Sequence, residues 1–155
     1  MALKIKYQLE QAGWATVTAW NGRESAKLTV SYLHDTLADL INAAIRVRNG
    51  EKEVHVLLMD EPGEHLIVFR SEDGVTINFE IRWFEDWASW NFVPEQEYKK
   101  VLSGIDTTEN FLEEVFKNAE SLLADNGIAG YKQKWIEHDF PIDLFNTLKS
   151  MLKKN

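Results

Sequence analysis

The sequence predicts an α+β fold: one domain with an antiparallel sheet of five to six strands and three to four helices packed mainly on one face. Three observations lead there. Short alternating segments cluster at the start and middle of the chain, amphipathic segments dominate its last third, and no helix pattern separates the middle strands. The last point disfavours a doubly wound parallel sheet. A length of 155 residues suits a single domain, residues 1–155, with a substantial core.

Residues 3–9 alternate Leu3, Ile5, Tyr7 and Leu9 with Lys4, Lys6 and Gln8, the period of a half-buried strand. Gln11-Ala12-Gly13 turns the chain into WATVTAW, rich in β-branched and aromatic residues, and Asn21-Gly22 breaks it. Ala26, Leu28 and Val30 predict a third short strand. In SYLHDTLADLINAAIRVRNG, Leu33, Leu37, Leu40, Ile41, Ala44 and Ile45 share one helical face. Ser31 is its expected N-cap and Gly50 its expected stop.

VHVLLMD, HLIVFRS and VTINFEIRWF then predict three strands, separated by the turn dipeptides Pro62-Gly63 and Asp73-Gly74. A two-residue turn at Asp73-Gly74 would pair Val68 with Phe79 and Leu66 with Ile81. That register collects Leu66, Val68, Ile77, Phe79, Ile81 and Trp83 on the apolar face. DTTENFLEEVFKNAESLLADNG carries a second helical stripe, opened by an Asp106/Glu109 capping pattern and closed by Asn126-Gly127. FPIDLFNTLKSMLKKN predicts a third helix. The intervening GIAGYKQKWIEHDF has no clear period.

Net charge is −8, and it is unevenly spread. Residues 51–97 carry twelve acids against three bases, a net −9, while the other 108 residues sum to +1. Such a segment repels phosphate backbones, which argues against nucleic acid, and suits a basic protein partner. The lack of cysteine removes disulfides, thiolate nucleophiles and cysteine-ligated zinc. MALKIKYQLE lacks a signal-peptide core and no segment is long enough to span a membrane, so a cytoplasmic location without membrane association is expected.

The richest candidate site is RWFEDWASWNF, residues 82–92, with three of the six tryptophans around Glu85-Asp86. Trp83 continues its strand's apolar face. Trp87, Trp90 and Phe92 lie beyond the strand end, where they either fold back as a lid or stand exposed beside carboxylates as anchors for a basic partner. DEPGEH, residues 60–65, is the second place: a tight turn would set Glu61 against Glu64 and Asp60 against His65. The four histidines lack the spacing of a metal site. Ser31, His34 and Asp35 contain triad residue types without triad geometry. Gly127-Ile-Ala-Gly130-Tyr-Lys132 lacks the Gly-Lys-Ser/Thr ending of a phosphate loop. No catalytic residue, metal or cofactor is assigned.

SYLHDTLADLINAAI, DEPGEHLIVFR and IRWFEDW together resemble a group of small uncharacterised bacterial proteins. That group pairs an SYL-x-D-x-L-x-D-L strand-to-helix element with an acidic hairpin, and the resemblance spans residues 28–87. It implies no activity. The sequence therefore supports a non-enzymatic, acidic protein-binding module, of which an immunity-type inhibitor is one form. Glu61, Glu64, Glu85 and Asp86 would steer and Trp87 and Trp90 would anchor. The alternative is a small-molecule site or enzyme with a pocket near Asp60, Glu61, His65 and Arg82; a homodimer joined through the aromatic loop is a third reading.

Overall fold

The computed structural model describes residues 3–153. It contains β1 (Lys4–Leu9), β2 (Trp14–Trp20), β3 (Ser25–Ser31), α1 (Thr36–Arg48), β4 (Glu53–Met59), β5 (Glu64–Arg70), β6 (Thr76–Phe84), β7 (Lys99–Thr107), α2 (Thr108–Trp135) and α3 (Ile142–Lys153). The α+β class holds, but the strands do not form one sheet of five or six. They form two antiparallel sheets, β1-β2-β3 and β4-β5-β6-β7. β7 is the strand the sequence hides: KKVLSGIDT alternates poorly, with a bulge where Ile81 faces Leu102 but Arg82 faces Lys100.

Alternation builds the first sheet as expected. Ile5 and Tyr7 lie across from Ala19 and Val17, and Val17 lies across from Leu28, all buried on one face. The lysines of β1 take the opposite, exposed face. Both sheets turn their apolar faces into one core shared with the three helices, with Phe69, Phe111, Tyr131 and Trp135 among its largest buried side chains.

Residues 71–75 form a five-residue connection, longer than the two-residue hairpin that the dipeptide suggests. Asp73 Oδ1 accepts from the backbone N–H groups of Val75 and Thr76 and stabilises it. The register moves by one: Ile67 faces Ile81 and Phe69 faces Phe79. A one-residue slip exchanges the faces of β5, so Ile67 and Phe69, not Leu66 and Val68, point into the core. Trp83 is half-buried and packs its ring 4.7 Å from that of His65.

Helix α1 starts one turn later than its apolar stripe suggests. Asp35 takes the N-cap position, Ser31 ends β3, and Leu33 is left exposed before the helix. Thr107 caps α2 by accepting from Asn110 N at 3.1 Å, which displaces Asp106 from that role. Asn126-Gly127 breaks the helix as expected: Gly127 is non-helical at φ 68° and ψ 173°, and a second helical stretch of α2 follows across the kink, through the unassigned segment to Trp135.

Side chains cap two of the four edge strands, β1 and β4. β1 lies along α2: Leu3 N donates to Asp106 Oδ2 and Ile5 N to Glu114 Oε2, both at 2.7 Å, and Tyr7 N donates to Asn118 Oδ1 at 2.8 Å. On β4, Leu57 N donates to Asp39 Oδ2 and Leu57 O accepts from Thr36 Oγ1, both from the first turn of α1. Such caps leave no ladder for another chain at those positions. No described helix is long and apolar enough to cross a membrane.

Candidate functional site

The segment after β6 divides its aromatic residues between two tasks. Asp86 Oδ1 accepts from Trp87 N at 2.8 Å, opening a short 3₁₀ turn over Ala88–Trp90. Asn91 closes that turn in the left-handed region at φ 63°, and Phe92 N returns to Trp87 O at 2.9 Å. The Trp87 indole N–H donates to the carbonyls of Asp60 and Gly63 at 2.9 and 2.8 Å. Trp87 is therefore half-buried and seated on the β4–β5 turn, the lid arrangement.

Trp90 and Phe92 are not covered. They are 51% and 58% exposed and pack against Trp87, with ring centroids 4.6 and 6.0 Å from it. One buried-edge indole thus holds two exposed rings in place. Contiguous exposed rings, unlike single exposed apolar side chains, are characteristic of interaction surfaces.

The carboxylates of the acidic segment also divide. Several are matched: Glu51 with Arg46, Glu53 with Arg70 and His55, Glu72 with Lys52, and Glu80 with Arg82. Around the aromatic turn they are not. Asp60, Glu61, Glu85, Asp86, Glu95 and Glu97 form no ion pair among the described residues. Glu61 Oε2 accepts from Ser31 Oγ at 2.6 Å, so that serine neither caps a helix nor meets His34. His34 instead contacts Asp39 at 3.0 Å.

Glu64 departs from the expected picture of a steering charge on a hairpin tip. It faces Met59 rather than Glu61, and it is 2% exposed. Its carboxylate accepts from Ser89 Oγ at 2.7 Å and Ser89 N at 3.3 Å. Burial raises its pKa above the ordinary glutamate value, and the two Ser89 hydrogen bonds work against that rise. The facing-carboxylate pair expected at residues 61 and 64 does not form.

The alternative pocket is also not assembled. His65 lies on the inner face of β5, opposite Trp83, whereas Arg82 sits opposite Leu66 on the outer face. Desolvation lowers the pKa of the half-buried His65 imidazole to about 4, which keeps the ring neutral near pH 7. Among the described residues no group of three histidine, aspartate or glutamate side chains converges as metal ligands.

Sequence reasoning missed Ser89 and the burial of Glu64. The signal available was the β5 alternation itself: Glu64 shares the parity of Leu66 and Val68, an apolar row in which a carboxylate has to find a hydrogen-bond donor.

No family model and no curated protein matches this chain. Among solved structures, a chain of a CdiA-CT/CdiI toxin and immunity complex from Enterobacter cloacae is similar to it, with a TM-score of 0.48 and 8% sequence identity over 76% of this chain and 99% of that one. A likeness of that strength carries no argument about fold or role.

Proposed function

We propose that this protein is a non-catalytic binding module for a basic protein, with Trp90 and Phe92 as anchors. Glu61, Glu85 and Asp86, together with Asp60, Glu95 and Glu97, supply the steering field. The observation that carries the reading is the exposed ring pair held on Trp87 and surrounded by carboxylates without counter-ions. Desolvated aromatic centres contribute affinity, and surrounding like charge accelerates encounter with an opposite potential. The mechanism is occlusion of the partner's surface, the mode of an immunity-type inhibitor. Trp87, named with Trp90 as an anchor from the sequence, takes a supporting place beneath the exposed pair.

The test is affinity capture from the cells that make the protein, followed by equilibrium binding of the captured partner. Trp90→Ala with Phe92→Ala should weaken that complex at least tenfold, and raising the salt concentration should slow association. A complex indifferent to both changes would remove this surface from the interface. If the captured species is a second copy of the chain, self-association replaces the basic-partner reading.

A further inference from the structure

We propose that a pocket beside the aromatic turn receives the ammonium group of a lysine side chain from the partner, with Glu64 as the counter-charge. This rests on the protein-binding reading and names the chemistry of one contact within it. The pocket has a volume of about 220 Å³ and lies between the outer face of β4–β6 and residues 84–95. Leu57, Leu66, Phe84 and Ala88 provide apolar walls, and exposed Glu95 stands beside them.

Glu64 is the reason to expect a cation. A carboxylate taken out of water requires a compensating charge or a full set of hydrogen bonds. Glu64 has no ion pair among the described residues and its protein hydrogen bonds come from Ser89 alone; the one favourable charge that acts on it, the His34 imidazole, lies beyond ion-pair distance. The basic groups that share the pocket wall are committed elsewhere. Arg82 Nε donates to Glu80 at 2.6 Å and its guanidinium lies over the Tyr98 ring, while His55 contacts Glu53 at 2.9 Å.

The shape favours lysine over arginine. A methylene stem can lie along apolar walls while a compact ammonium meets a single carboxylate. A guanidinium fork needs both oxygens in one plane, and here each already accepts from Ser89.

The experiment titrates ¹⁵N-labelled protein with N-acetyl-lysine methylamide and, separately, with its uncharged analogue N-acetyl-norleucine methylamide. Saturable amide shifts at Glu64, Leu66, Ala88 and Ser89 are expected with the lysine compound, with affinity at least tenfold weaker for norleucine. Glu64→Gln should weaken the lysine compound at least tenfold. Leu66→Phe, which narrows the pocket and keeps the carboxylate, should weaken it as well and serves if the glutamine variant does not fold. Equal binding of norleucine, no saturable shift, or indifference to the variants overturns the proposal. Trp90→Ala with Phe92→Ala separates the two readings. If it abolishes partner binding while Glu64→Gln leaves the partner's Kd unchanged, the lysine pocket fails and the binding surface stands.

Discussion

The indole N–H of Trp87 reaches the Gly63 carbonyl at 2.8 Å and so fastens the aromatic turn to the β4–β5 turn. Neighbouring tryptophans in one segment consequently carry different burdens. Trp87→Ala should destabilise the protein by about 2–4 kcal/mol, because it removes packing and the indole donor that two turn carbonyls share, of which Gly63 O keeps only the Asp60 amide. Trp90→Ala should stay within about 0.5 kcal/mol of the parent. Urea denaturation of the two single variants checks the contrast; similar losses would place Trp90 in the core.

Gly63 itself is predicted to resist substitution. Its φ is +92°, and a Cβ there would stand 2.2 Å from the Trp83 ring and 2.9 Å from Phe84 O. Gly63→Ala should cost about 2 kcal/mol or more, combining left-handed strain with a ring that must shift. Gly74→Ala carries similar strain but meets nothing within 4 Å, so it should cost less. Thermal unfolding of both variants compares the two terms.

The half-buried imidazole of His65 gives a pH dependence with a definite sign. Its pKa falls from 6.5 to about 4 on folding, so the unfolded chain binds more protons between those values. Its titration therefore carries no penalty above pH 6.5, and stability is lost as pH falls toward 4, by at most about 3 kcal/mol. Glu64 and Asp35, whose pKa values are raised, work in the opposite direction at acid pH. The informative quantity is the difference between the parent and His65→Leu. That difference should change with pH only across this window, and a flat difference would contradict the neutral, desolvated state.

Asp39 should matter more than its place on a helix surface suggests. Asp39→Ala takes the acceptor from the Leu57 amide and is expected to cost about 1–3 kcal/mol. Asp39→Asn retains an oxygen and should cost less. Faster hydrogen exchange at the Leu57 amide in the alanine variant would report the opened strand edge directly.

Much of the architecture was legible because period and punctuation agree. β1, β2 and the stripes of α1 and α3 follow alternation or helical spacing without interruption. Legibility ended where a non-local contact overrode a local signal. Asp73-Gly74 looks like a two-residue turn, but Asp73 organises a longer one and the slip exchanges the faces of β5. Asn126-Gly127 does break α2, but nothing in the period of the following segment announces the second helical stretch, which forms because Tyr131 and Trp135 are buried in the core. At the candidate site, the aromatic segment and its carboxylates could be located from sequence. The separation of Trp87 from Trp90, and the descent of Glu64 beneath Ser89, depend on contacts between segments more than twenty residues apart.

The capping of β1 by α2 has a consequence for synthesis. The side chains that finish the first strand lie 103 to 111 residues downstream of the amides they receive. While the ribosome is still making the middle of the chain, the N-terminal strands can pair with one another, yet their outer margin must wait for Asp106, Glu114 and Asn118 to emerge. A nascent polypeptide arrested before those residues carries an unprotected strand, open to pairing with whatever extended segment it meets first.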